Sequence, residues 1–129
     1  MSDKAYVFTK DDKAEIVLPS GVTVQVKVKT NSKATQKVTL KDNHDVVDLE
    51  FSGTGERNTI GDKTITPVDK SLFTAVFEYA GDDGVFKPSK LNSGGPYDIG
   101  NYHLMVVVAE NGDDSDYNDT VLEFSWHSK

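Results

Sequence analysis

Residues 110–119 read Glu-Asn-Gly-Asp-Asp-Ser-Asp-Tyr-Asn-Asp, placing the carboxylates of Glu110, Asp113, Asp114, Asp116 and Asp119 and the amides of Asn111 and Asn118 on one short segment. Two unit charges 5 Å apart repel by about 0.8 kcal/mol even in bulk water, and by several times more at a protein surface. A folded chain that keeps five of them together therefore calls for a cation. Every donor in the segment is oxygen, the chain has no cysteine, and its three histidines, His44, His103 and His127, lie elsewhere. That donor set suits Ca²⁺ best; Mg²⁺ and Mn²⁺ fit less well, and Zn²⁺ normally recruits nitrogen or sulfur. Asp114-x-Asp116-x-Asn118 imitates the start of an EF-hand loop, but the sixth position is Asp119 instead of Gly and the twelfth is Ser125 instead of Glu. The flanking runs also have strand character, so the EF-hand reading fails. Along a compact loop, Glu110, Asp114, Asp116, Asn118 and Asp119 can share two adjacent Ca²⁺ ions, with Asp116 and Asp119 bridging. Asp and Asn favour turns for reasons of their own, but hairpin turns do not usually stack so many like charges. Asn118-Asp119-Thr120 also fits an N-glycosylation acceptor, a less apt use of Asn118 than metal ligation.

The elements that must position this loop have a period of two. Val22, Val24, Val26 and Val28 alternate with Thr23, Gln25, Lys27 and Lys29, the pattern of a strand with one buried and one wet face. Comparable runs occur at Val38–Leu40, Val47–Phe51 and Phe73–Tyr79. His103–Ala109 is more uniformly apolar and predicts a central strand covered on both faces, while Thr120–Trp126 closes the chain with Leu122, Phe124 and Trp126 on one side. Turn signals separate the runs at Pro19-Ser20-Gly21, Lys41-Asp42-Asn43, Gly53-Thr54-Gly55, Gly81-Asp82-Asp83-Gly84 and Asn92-Ser93-Gly94-Gly95-Pro96. No helical stripe is present. The expected fold is all-β, an antiparallel β-sandwich of about eight to nine short strands, in one domain spanning residues 1–129. Residues 1–13 are read as either an N-terminal arm or an extra edge strand. Trp126 and Tyr79 fall on apolar phases and are expected in the core, and His103 is expected to be structural.

Composition excludes several functions. The chain has 129 residues and a formal charge of −7, which disfavours nucleic acid as a partner. Two divalent cations would bring that charge to −3, so much of the acidity is explained by the loop. No apolar stretch approaches membrane-spanning length, and Met1-Ser2-Asp3-Lys4 lacks the apolar core of a signal peptide. The expectation is a soluble chain made in the cytoplasm, with any release or display at the cell surface using a route the sequence does not reveal. Three scattered histidines offer no recognisable Ser/His/Asp arrangement, and carboxylates such as Glu110 and Asp114 would lose basicity on binding metal, so no enzyme activity is expected.

The acidic segment, followed six residues on by Ser125-Trp126, resembles the calcium loop of the LecB-like bacterial lectins, the two-calcium proteins that bind fucose and mannose. A second match lies far away in the sequence, where Leu18-Pro19 is followed by Asn31-Ser32 and Thr35-Gln36. The spacing from Trp126 to Lys129 matches as well. The resemblance spans roughly residues 14–129, with its motifs at both ends.

The resemblance implies a residue-by-residue site. Glu110, Asp114, Asp116 and Asp119 would hold one Ca²⁺. Asn31, Asp116, Asn118 and Asp119 would hold the other, completed by the α-carboxylate of Lys129 from a partner chain. A sugar would give vicinal hydroxyls to both ions, with Ser32, Lys33, Asn111, Asp113 and Asp114 around it. A homodimer or homotetramer follows, with fucose- or mannose-type glycans as partners and no membrane insertion. This chain has Asn111 where the family usually has an aspartate, Lys33 in a segment where small residues are usual, and Lys129 in place of a terminal glycine. Ser32 goes with fucose in the family, whereas Asp113 could accept from an exocyclic hydroxyl that mannose has and L-fucose lacks. The expectation is that both bind, with fucose modestly preferred. The competing reading is a calcium-stabilised β-sandwich module for structure or adhesion, with no sugar role.

Overall fold

The computed structural model describes residues 5–110 and 119–128. Their strands in chain order are β1 (Tyr6–Lys10), β2 (Lys13–Val17), β3 (Val24–Asp42), β4 (Asp48–Ile65), β5 (Phe73–Ala80), β6 (Phe86–Pro88), β7 (Lys90–Ile99), β8 (Tyr102–Glu110) and β9 (Thr120–His127). All pairings between them are antiparallel, and no helix occurs among the described residues. The all-β expectation is met, but two of the strands are far from short.

β3 runs for 19 residues and β4 for 18, and together they form the spine of the fold. The first half of β3 pairs with the end of β4 on one side and with β9 on the other (Val26 opposite Phe124). Its second half pairs with the start of β4 and with β5 (Val38 opposite Phe77). β3 thus belongs to two layers, β4-β3-β9-β8-β7 and β4-β3-β5-β2-β1, with β6 added beside β5. The change of layer falls at residues 28–36, where the β3–β4 register shifts three times. The two ends of the sheet also approach each other, because β1 lies against β7.

Bending the long pair puts distant parts of β4 face to face. A Cβ on Gly61 would fall within the Phe51 ring, and one on Gly53 would meet the Ile60 side chain. These two glycines make room for the fold to close. Gly53-Thr54-Gly55, expected as a turn between strands, is instead an irregular stretch inside β4. Gly55 takes φ +118°, a backbone state open to glycine at little cost.

The core fills the space between the layers. Val24, Val26, Val28, Met105, Val107, Leu122, Phe124 and Trp126 come from one layer, and Ile16, Val38, Leu40, Phe51, Phe73 and Phe77 from the other. Each is the inward phase of an alternating strand, the period of two read from the sequence. Three expectations are corrected. β8 is not covered on both faces, since Met105 and Val107 are buried while Leu104, Val106 and Val108 are half-buried. Tyr79 is half-buried, because the alternation of β5 breaks after Phe77. Asn92–Pro96 is not a connection but the middle of β7, with a register shift between Gly94 and Tyr97 and a cis Gly95-Pro96 bond. β7 is the terminal strand of its layer, and such a strand tolerates proline because one row of its amides has no ladder partner to lose. Residues 6–10 settle as an edge strand.

Candidate functional site

The acidic segment begins and ends on neighbouring strands. Glu110 is the last residue of β8, Asp119 directly precedes β9, and Ala109 stands opposite Thr120 in the ladder between them. The Asp119 amide donates to the Ala109 carbonyl at 3.1 Å, which closes the base of the loop. Sequence alone predicts this much, since two adjacent apolar strands joined by a polar segment tend to pair.

The arrival of Asn31 at the same place could be read only by resemblance. Its amide donates to the Asp119 carbonyl at 3.0 Å, one residue beyond the Thr30–Thr120 pair that ends the β3–β9 ladder. Asn31, Glu110 and Asp119, from three separate segments, therefore converge where β3 changes layer. Asn31 is exposed, and its Oδ1 accepts the Arg57 amide at 3.3 Å. That bond identifies the oxygen end of the side chain and fixes its direction, while an amide oxygen retains a second acceptor site. Arg57 reaches this position with φ +52°, at the irregular stretch of β4.

Glu110 is the more unusual residue, a carboxylate with only 1% of its surface exposed. A buried carboxylate is costly unless it is well partnered, and carboxylates are seldom found so deep without a structural or ligating role. The donor set of Asn31, Glu110 and Asp119 is all hard oxygen with two negative charges, which fits Ca²⁺. Among the described residues no group of three His, Asp or Glu side chains forms a cluster. The remaining expected ligands, Asp114, Asp116, Asn118 and Lys129, lie outside the described residues, as do Asn111 and Asp113.

The segment Ser32-Lys33-Ala34 bulges out of β3 beside this point and is held from below. Thr54 Oγ1 lies 2.7 Å from the Lys33 carbonyl and 3.1 Å from the Ser32 carbonyl, so its one hydroxyl proton is shared between them. The Ala34 amide donates to Ser32 Oγ at 3.1 Å, folding the segment tightly. Asn58 Nδ2 donates to the Thr54 carbonyl at 2.9 Å and Thr30 Oγ1 to the Gly55 carbonyl at 3.0 Å, so the supporting stretch is itself braced. Ser32 is half-buried and Lys33 exposed, with no ion pair for Lys33 among the described residues. The supporting roles of Thr54 and Arg57 escape a sequence reading. Their one local signal, Gly53-Thr54-Gly55, is also what an ordinary hairpin turn would show.

The opposite end of β8 carries a second polar cluster. His103 Nδ1 lies 2.5 Å from Asp98 Oδ1, His103 Nε2 lies 2.8 Å from Ser128 Oγ, and the ring stacks on Trp126. This is the Ser–His–Asp order that sequence could not assemble. The Ser128 amide, however, donates to the Asn101 carbonyl at 2.8 Å. The nucleophile's own amide commonly helps to stabilise an oxyanion, and here it is already engaged. The cluster therefore ties the end of the chain to the β7–β8 turn, and His103 is structural as expected. It also separates Ser128 from Asp119 by the eight residues of β9, about 25 Å of extended chain.

The sequence model described as fucose-binding lectin II (PA-IIL) matches residues 16–128. Among solved structures, the Chromobacterium violaceum lectin CV2L in complex with alpha-methyl-fucoside is similar at 26% identity, with a TM-score of 0.71 over 94% of this chain and 100% of that one. The Ralstonia solanacearum high-affinity mannose-binding lectin shares the fold at 22% identity and a TM-score of 0.70, over 89% of this chain and 96% of that one. So does the C-terminal domain of the BC2L-C lectin from Burkholderia cenocepacia, at 22% identity and a TM-score of 0.68, over 93% and 98% of the two chains. No curated protein sequence matches. With the family model covering residues 16–128 of 129, this chain belongs to the fucose-binding lectin II (PA-IIL) family, whose members are carbohydrate-binding proteins and not enzymes.

Proposed function

We propose that this lectin binds fucose- and mannose-type monosaccharides through a pair of Ca²⁺ ions held at the junction of β3, β8 and β9. The observation that carries the reading is the 3.0 Å bond from the Asn31 backbone amide to the Asp119 backbone carbonyl, which brings a residue distant in sequence beside the end of the acidic segment. Glu110, Asp114, Asp116 and Asp119 would hold one ion, and Asn31, Asp116, Asn118 and Asp119 the other. When bound, the ions supply charge-assisted coordination of two vicinal hydroxyls, among the stronger contacts open to a neutral sugar. The chain does the rest. Carboxylates around the ions would accept hydrogen bonds from the sugar hydroxyls, Ser32 and Lys33 would border the sugar, and Asn111, Asp113 and Asp114 are proposed as its further contacts. A braced Ser32–Ala34 segment lowers the ordering cost of binding.

The Lys129 carboxylate would complete the second ion in a partner subunit, which makes a homodimer the smallest complete unit. The placement of Ser128 supports this, since roughly 25 Å of β9 lies between it and Asp119 of the same chain. Four side-chain carboxylates and one terminal carboxylate then face two divalent cations, −5 against +4. Titration calorimetry with methyl fucoside and methyl mannoside, in calcium and in chelator, tests the proposal. Binding of both sugars in calcium only is expected, with fucoside modestly tighter. Undiminished binding in chelator would overturn the metal-mediated mechanism, and mannoside tighter by about tenfold would reverse the preference.

A further inference from the structure

Beneath the Ser32–Ala34 segment runs a polar bridge of buried side chains. Thr120 Oγ1 donates to Gln36 Oε1 at 2.6 Å, and Gln36 Nε2 donates to the Ala34 carbonyl at 3.2 Å. The Ala34 amide in turn donates to Ser32 Oγ. Gln36 is 0% and Thr120 1% exposed, so water does not compete for the bond between them. The bridge is also directional. Turning the Gln36 amide over would set its oxygen against the Ala34 carbonyl, two acceptors with no proton between them. Residues 84 apart in sequence are thereby locked in one arrangement.

We infer that the Thr120 hydroxyl, acting through Gln36, positions the Ser32–Ala34 segment and so sets how the site discriminates between fucose-type and mannose-type sugars. The inference rests on the function proposed above. Thr120 is the neighbour of Asp119, whose carbonyl takes the Asn31 amide. One tether fixes the chain just before Ser32-Lys33 and the other fixes it just after. The second is made by the side chains of Thr120 and Gln36, neither an expected metal ligand, and it acts at Ala34 beside the Thr54 hydroxyl that holds the Ser32 and Lys33 carbonyls. Loss of the bridge therefore moves Ser32 relative to the ions while leaving the ion ligands in place. Hydrogen bonds weaken steeply with misalignment, so a small displacement of Ser32 alters its contact with the sugar ring more than it alters coordination of the vicinal hydroxyls. Thr120 and Gln36 are positioning residues, and their effect reads out as selectivity.

Thr120→Val keeps shape and removes the hydroxyl; Gln36→Met breaks the same bridge from the other side; Thr120→Ser retains it. The affinity ratio of methyl fucoside to methyl mannoside is expected to change about threefold to tenfold in both bridge-breaking variants, the span of one hydrogen bond. Calcium affinity should stay within about twofold, Thr120→Ser should restore the ratio, and the double variant should add little because both changes cut one bridge. The Ala34 amide should exchange its hydrogen faster in Thr120→Val, a readout that needs no sugar. An unchanged ratio in both variants, or a calcium affinity that falls along with sugar affinity, would overturn the inference. If the wild-type protein bound neither sugar, the proposed function would fail and the selectivity role with it. Unchanged Ala34 exchange would separately remove the bridge as a positioning device.

Discussion

Glu110→Gln tests the metal reading most directly, because the substitution keeps size, removes one charge and exchanges one acceptor oxygen for an NH2 donor. A carboxylate oxygen at a Ca²⁺ coordination distance of about 2.4 Å, with an effective dielectric near 20, interacts with each positive charge by about 7 kcal/mol. The amide oxygen retains part of that attraction as a dipole, and the buried carboxylate carries a desolvation cost that the amide lacks. The net loss is about 3 kcal/mol, or more than a hundredfold in calcium affinity. Burial strengthens the argument, since at 1% exposure little solvent screens the missing charge. Under calcium that saturates the wild type, stabilisation grows as the logarithm of concentration over Kd. A hundredfold weaker site therefore forfeits about 2.7 kcal/mol of stabilisation. For a domain of 129 residues that corresponds to about 10 °C in Tm. The assay is thermal unfolding of both proteins in chelator and in calcium, with the rise on adding calcium compared between them. A rise in Glu110→Gln within about 2 °C of the wild-type rise would refute the assignment of Glu110 as a ligand.

Two other outcomes follow from the geometry. Extending the chain beyond Lys129 by a short tag should weaken sugar binding at least about tenfold while leaving the fold intact, because the proposed α-carboxylate ligand becomes an amide. Calorimetry beside sedimentation of the same samples checks this, and undiminished binding would remove Lys129 from the ligand set. Gly61→Val should destabilise the fold by about 3 kcal/mol or more, since its side chain would occupy the space of the Phe51 ring. Urea unfolding measures that loss, and wild-type stability would contradict the bent course of β4.

The separation of local from distant information is visible in particular residues. The valines at 24, 26 and 28 announce their strand because a period of two is a local property of the chain, and burial at 0% exposure confirms their phase. The same locality misled at Gly53-Thr54-Gly55 and at Asn92–Pro96. Glycine and proline mark irregular backbone, but whether the irregularity is a turn or a bulge within a strand depends on the neighbouring strand. Register in turn is set by the long β3–β4 pairing, which no window of the sequence contains.

The sequence by itself determined the all-β class, the inward residues of most strands and the chemistry of the acidic segment, since oxygen donors and crowded charge are properties of composition and spacing. Its likeness to a lectin family also carried the expectation of Asn31 as a ligand. Only the tertiary structure decided that Asn31 meets Asp119, because that contact depends on β3 leaving β9 for β5 at residues 31–34. It alone placed Thr54, Arg57, Gln36 and Thr120 beneath the site, and assembled Asp98, His103 and Ser128 at the far end. Each of these contacts joins residues close in space but far apart in sequence or on different strands. Hydrogen bonding and burial select such pairs only after the sheet has closed, which is why they were not legible beforehand.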